Sequence, residues 1–143
     1  KLYNVGYIAG VFDLFHIGHL NMFKRAKEQC RYLIVGVVSD EGVRLNKQAE
    51  PFVPFDERIE MVRSCKYVDE AIKLPLDFCG TRDMFKIYHF DVQFSGSDYE
   101  HDPAWLAEKE FLEKNGSTMV FFPYTQSTSS TKLKKAIENR INN

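Results

Sequence analysis

Val5-Gly6-Tyr7-Ile8-Ala9-Gly10-Val11-Phe12-Asp13-Leu14-Phe15-His16-Ile17-Gly18-His19-Leu20 holds the change of period that decides the fold. Val5 to Ala9 is a short run with the residue types of a strand. Beyond the turn at Gly18, the apolar residues Leu20, Phe23 and Ala26 recur at helical spacing. A strand running straight into a helix is the opening of a βαβ unit, and the rest of the chain continues the alternation. Tyr32 to Val38 is apolar on both faces, as a central parallel strand is. Ala71 to Leu74, Val92 to Ser95 and Thr118 to Phe122 supply three more strands, the last stopped by Pro123.

Helical stripes lie between them. Ile59, Val62 and Cys65 mark one, with start signals at Pro54 and Asp56. Ala104, Ala107, Phe111 and Leu112 mark the next, started by Asp102-Pro103 and stopped by Asn115-Gly116. Leu133, Ala136, Ile137 and Ile141 mark the last, behind the capping hydroxyls of Ser129, Ser130 and Thr131. A short helix over Thr81 to Tyr88 completes the set. The expected architecture is α/β: one Rossmann-like, doubly wound parallel sheet of about five strands with helices on both faces. Ligands of such sheets bind beyond the carboxyl ends of the strands, near the switch in strand order. The loops after the first and fifth strands are therefore the places to look for chemistry.

Composition narrows the classes of function. With 143 residues the chain has room for one domain, taken here as 1–143. Lys and Arg number 19 against 20 Asp and Glu, a net charge of −1 that argues against a polybasic nucleic-acid or membrane-surface binder. Aromatic residues at 14% and a mean hydropathy of −0.34 describe a folded, water-soluble chain rather than a disordered one. Cys30, Cys65 and Cys79 form no CxxC pair and no disulfide framework, so packed thiols are expected. No segment has transmembrane length or signal-peptide form, and the cytoplasm is the expected location.

Gly10 and Gly18 let backbone approach a ligand, and helix-terminal amides donate to phosphate oxygens. His16 and His19, three residues apart at that terminus, can both address one phosphoryl group and stabilise charge during in-line displacement. Plainer alternatives exist. A histidine can cap a helix or fill a core, and His16-x-x-His19 could be half of a metal site. No third His or Cys stands at ligand spacing, and neither GxxxxGK[ST] nor GxGxxG occurs.

The string Gly10 to Leu20 resembles the HxGH signature of the nucleotidyltransferase superfamily, in the form carried by cytidylyltransferases. Among these, the glycerol-3-phosphate enzymes are the most similar group. Further stretches of the chain match. Lys24-Arg25-Ala26-Lys27 and Val38-Ser39-Asp40-Glu41 resemble the family's first helix and the end of its second strand. Leu45-Asn46-Lys47-Gln48 resembles the loop whose lysine reaches the phosphates of both substrates, with Arg44 as a nearby substitute for Lys47. Phe55-Asp56-Glu57-Arg58 through Lys66-Tyr67-Val68-Asp69-Glu70 resembles the family's ER…RYVDEV stretch. The resemblance places Arg58 at the active site, and gives Lys66 either a phosphate contact or a surface position.

Ser95-Gly96-Ser97-Asp98-Tyr99 is similar to a GDD element after the fourth strand, with Ser97 departing from it. Tyr124 to Lys132 is similar to the family's RTxGISTT signature. There Thr125, Ser129 and Thr131 match and Ser130 replaces Thr, while Tyr124 and Ser127 stand where the family has Arg and Gly.

What the resemblance implies is CMP transfer from CTP to a small alcohol phosphate, glycerol phosphate first, with pyrophosphate released. His16, His19 and Lys47 would be catalytic. Gly10, Val11, Phe12, Gly18, Asp98, Thr125, Ser129, Ser130 and Thr131 would bind nucleotide. Asp13, Arg58, Lys66 and Lys132 would bind phosphate or acceptor. Mg²⁺ would be held through the CTP phosphates with no dedicated protein site, and the protein would be a homodimer. Competing expectations are the same chemistry on phosphocholine or phosphoethanolamine, an adenylyltransferase acting on a sugar phosphate, and a nucleotide-binding regulator without turnover. The last is prompted by Tyr124 and Ser127.

Overall fold

The computed structural model describes residues 2–76, 80–123 and 129–142. Its elements run β1 (Tyr3–Gly10), α1 (Ile17–Gln29), β2 (Cys30–Val38), α2 (Asp40–Lys47), α3 (Phe55–Arg63), β3 (Glu70–Leu74) and α4 (Thr81–Tyr88). They continue with β4 (Val92–Gly96), a 3₁₀ turn (Ser97–Tyr99), α5 (Pro103–Lys114), β5 (Thr118–Phe122) and α6 (Ser130–Asn142). The five strands form one parallel sheet in the order β3-β2-β1-β4-β5, so the expected doubly wound α/β architecture holds. Tyr7 pairs with Ile34 on one side and with Gln93 on the other, which makes β1 the central strand.

Both faces of the sheet are covered, which explains why β2 reads as continuously apolar. On one face, Ile8, Leu33, Val35, Val92 and Phe94 pack against Phe23 and Ala26 of α1 and Ile59 and Val62 of α3. On the other, Tyr7, Ile34 and Met119 pack against Met84 of α4 and Leu112 of α5. The chain winds outward from β1 through β2 to β3, then returns to β1's other side for β4 and β5. The switch in strand order therefore falls between β1 and β4, and a crevice opens there beyond their carboxyl ends.

One helix was not expected. The stretch read as a lysine-bearing loop is α2, capped by Ser39, whose Oγ accepts the Gly42 N–H at 3.1 Å. It ends at Gln48, which adopts a left-handed conformation with φ 54°. Its eight residues carry two buried positions, Gly42 and Val43, too little apolar repetition to show as a stripe. Among the described residues no helix is long and apolar enough to cross a membrane.

Candidate active site

The loop from Val11 to Phe15 is bent by two left-handed non-glycine residues, Phe12 (φ 56°) and Leu14 (φ 51°). Such backbone persists only where its surroundings hold it. Asp13 between them is 2% exposed. Its carboxylate accepts the amides of Leu14 (3.1 Å), Phe52 (2.8 Å) and Val53 (2.9 Å), and pairs with Lys134 at 3.0 Å. Burial would raise this carboxyl's pKa, but the Phe52 amide, Lys134 and the Val53 amide outweigh it and hold the group below the usual carboxylate range. Phe12 turns back over Gly10 so closely that a Cβ at residue 10 would stand 2.7 Å from its ring. That explains the glycine by packing.

Arg58 requires a correction. The expectation placed it on phosphate, yet its side chain is 0% exposed and every arm of the fork is used. Nε donates to Val53 O, Nη1 to both Val11 O and Val38 O, each at 2.8 Å, and Nη2 to Asp40 Oδ1 at 2.6 Å. Arg58 therefore rivets the ends of β1 and β2 to the 52–54 segment: four of its five N–H donors are spent there, and its full burial keeps the fifth from a substrate. Asp13 is corrected on the same ground: its carboxylate is filled by protein donors. Lys66 lies in the α3–β3 connection, at the amino end of β3 and so opposite the crevice, with its ammonium 5.3 Å from the Tyr67 ring centroid.

Each histidine uses Nδ1 to cap the helix, and His16 also spends its Nε2–H on Ser130. His16 is the N-cap of α1: its Nδ1 accepts the Gly18 N–H at 3.0 Å. His19 Nδ1 accepts the His16 N–H at 3.2 Å, closing a reciprocal capping box. An Nδ1 that accepts carries no proton, so both neutral rings are Nε2–H tautomers. His16 Nε2 lies 3.2 Å from Ser130 Oγ, whose own hydroxyl donates to Asp13 O at 2.7 Å. Ser130 thus accepts from His16, and the chain of donors is consistent throughout.

The two rings stack at 3.9 Å, with Phe15 on the other side of His19 (5.3 Å) and Phe12 at its edge (5.4 Å). Burial lowers the pKa of His16. Burial, reinforced by His16 and opposed by Asp13, pushes His19 down to about 3. Both rings are therefore neutral N–H donors at neutral pH.

That shift makes stability depend on pH. An unfolded chain protonates residue 19 near its ordinary 6.5, while the folded chain resists until about 3. The histidine's contribution is whole above 6.5 and is lost as pH falls through that window, at up to ~1.4 kcal/mol per pH unit. Urea unfolding of His19→Asn between pH 6.5 and 4.5 is expected to lose one proton's worth of this slope relative to the unsubstituted chain. Equal slopes would contradict the assigned neutral state.

A cavity of about 460 Å³ opens at the switch point. His16, Gly18 and His19 enter it from the start of α1, Gly96 and Asp98 from the end of β4, and Ser129 to Lys132 from the start of α6. Ser129 caps α6 through its Oγ, which accepts the Lys132 N–H at 3.1 Å. Of the expected site residues, eight meet here: His16, Gly18, His19, Asp98, Ser129, Ser130, Thr131 and Lys132. Gly10, Val11, Phe12, Asp13 and Arg58 build the loop behind them and do not line the cavity. Lys47, at the exposed end of α2, does not line it either. Thr125, Tyr124 and Ser127 lie outside the described residues.

Asn21, Met22 and Arg25 also line the cavity and were not singled out from sequence. They follow Gly18 at i+3, i+4 and i+7, so they share its helix face. Arg25 and Lys132 are the cationic side chains, and Asp98 is the one carboxylate, among the described lining residues. A magnesium ion fits this donor set only if most of its ligands arrive with the substrate, as phosphate oxygens do. Among the described residues no cluster of three or more His, Cys, Asp or Glu could hold a metal by itself.

Comparisons with known proteins give the family. A family model described as cytidylyltransferase-like matches residues 7–136. An FAD synthase of Thermococcus kodakarensis is 37% identical over 139 residues, covering 94% of this chain and 89% of that protein. An ethanolamine-phosphate cytidylyltransferase of Dictyostelium discoideum is 41% identical over 138 residues, 94% of this chain but 38% of the relative. The glycerol-3-phosphate cytidylyltransferase of Bacillus subtilis is 32% identical, with 90% and 92% covered. Among solved structures, a lipopolysaccharide core biosynthesis protein from Thermoplasma volcanium superposes with a TM-score of 0.67 at 25% identity, covering 88% of this chain and 99% of that one.

Proposed function

Because the chain belongs to the cytidylyltransferase-like family, we propose that it transfers CMP from CTP to a small alcohol phosphate, glycerol phosphate first, and releases pyrophosphate. The observation that carries this reading is the pair of stacked, neutral imidazoles that line the switch-point cavity beside the start of α6.

An oxygen of the acceptor's phosphate attacks the α-phosphorus, the bond to the bridging oxygen of the β-phosphate breaks, and pyrophosphate leaves. A phosphate oxyanion is already a competent nucleophile at neutral pH, so the chain need supply no general base. Its work is positioning and charge stabilisation. The Nε2–H of His19 donates to the α-phosphoryl oxygens as charge builds there, and that of His16 turns from Ser130 Oγ to join it. Being neutral beforehand, they lose no solvation of a fixed charge when the site fills. The start of α6 and the Lys132 ammonium receive the triphosphate, and Arg25 adds positive charge along α1. Magnesium bound through the triphosphate would neutralise the leaving pyrophosphate.

A second reading has a specific basis. The FAD synthase similarity spans most of both chains, which favours adenylyl transfer from ATP to a flavin phosphate. The ethanolamine-phosphate relative adds phosphoethanolamine as an alternative acceptor. Pyrophosphate release measured with CTP and with ATP, against glycerol phosphate, phosphoethanolamine, phosphocholine, a sugar phosphate and FMN, separates these readings. The expected result is turnover with CTP and an alcohol phosphate. Turnover confined to ATP and FMN would replace the first reading by the second, and nucleotide binding without release would point to a regulator. A homodimer is part of the same proposal, to be checked by sedimentation.

A further inference from the structure

We propose that Lys134 is a positioning residue: by clasping the Asp13 carboxylate it seats the phosphate-receiving start of α6 against His16. The phosphate-receiving role rests on the function proposed above, while the clasp itself does not. No side chain of α6 is fully buried, so the helix is not held by a core of its own. Two of its polar ties meet on one residue. Ser130 Oγ donates to the carbonyl of Asp13 at 2.7 Å, and Lys134 Nζ pairs with the carboxylate of the same residue at 3.0 Å. Ser130 and Lys134 are four residues apart and so lie on one face of the helix.

The Lys134 ammonium also lies 5.5 Å from the Phe52 ring centroid, on the segment whose amides bind the other sides of the same carboxylate. Asp13 is 2% exposed and the Lys134 side chain 27%, so this charge pair is partly desolvated and directional. Lys132, two residues earlier, lines the cavity, whereas Lys134 does not. The two lysines therefore divide the labour: one faces substrate, the other holds the helix that carries it. Through Ser130 the clasp reaches His16 Nε2, 3.2 Å away, so loosening α6 withdraws the group that orients a catalytic ring.

The test uses the full chain with Lys134→Met and Lys134→Arg. Amide hydrogen exchange on the unliganded protein is expected to rise across 131–142 in Lys134→Met, with β1 and β2 as protected as before. KM for CTP is expected to rise about tenfold or more, with kcat falling less than KM rises. Lys134→Arg should restore both. Lys134→Gln, which keeps a donor of similar reach, should fall between them, and it guards against a Met variant that fails to fold. Unchanged exchange in α6, or raised exchange with unchanged KM, would overturn the proposal. An unsubstituted chain without turnover on any nucleotide would overturn the proposed function instead, and the exchange measurement would still read the clasp.

Discussion

His16→Asn and His19→Asn are each expected to fold with near-native stability and to lose about 10²–10³-fold in kcat, the loss typical of one well-placed transition-state donor. Asparagine separates the two functions of each ring. Its side-chain oxygen reaches about as far as Nδ1, so at position 16 it continues to accept the Gly18 amide, and Asn is among the strongest N-caps. At position 19 it continues to accept the His16 amide. What disappears in both cases is the Nε2–H of a ring that lines the cavity, at position 16 the one that reaches Ser130 Oγ. Glutamine places its amide near Nε2 and is expected to retain more activity than asparagine at position 19. If the Asn variants turned over normally, the histidines would be caps and nothing more. If they unfolded, the neutral-cap reading of Nδ1 would be wrong.

Arg58→Met is expected to destabilise the fold by roughly 3–5 kcal/mol, the cost of removing a buried guanidinium from its carboxylate and the three carbonyls it bonds. The substitution leaves the carbonyls of Val11, Val38 and Val53 without their donor and Asp40 without its counter-ion. Burial alone would raise the Asp40 carboxyl; its bonds from Arg58 and the Phe55 amide hold it below the usual carboxylate range, and the first of these goes with the arginine. Against a total stability of about 5–15 kcal/mol for a domain, this is a large fraction. Arg58→Lys should rescue little, because one ammonium cannot span four acceptors arranged around a planar fork. Chemical denaturation checks the prediction. An Arg58→Met chain of normal stability with a raised KM for either substrate would return the residue to the phosphate-binding role expected from sequence.

Arg58 also shows where the sequence stops being informative. Its residue type and its neighbourhood were both legible, and it does sit behind the HxGH loop. Which way the guanidinium points depends on three backbone carbonyls from separate elements, and no local pattern encodes that. Lys66 takes the surface position of its two expected alternatives for a topological reason: it precedes β3, and in a parallel sheet the residues before a strand lie at the end away from the ligand. The strands and the larger helices were legible because burial on two faces imposes apolar runs and stripes that need no partner information. The α2 helix was not, since Ser39, Asp40 and Gly42 read as loop residues until the capping bond is seen. Asn21, Met22 and Arg25 were within reach of the sequence. Once Gly18 is placed at the ligand, the i+3, i+4 and i+7 positions of the same helix must face it too.

The central claim is that the His16–His19 pair performs nucleotidyl transfer in the switch-point cavity. It is tested most directly by pyrophosphate release from CTP and glycerol phosphate, comparing the unsubstituted chain with His16→Asn/His19→Asn at matched folded concentration. One pyrophosphate per CDP-glycerol from the unsubstituted chain, with release abolished in a double variant that still folds, is the predicted result. Undiminished release by the folded double variant would contradict it.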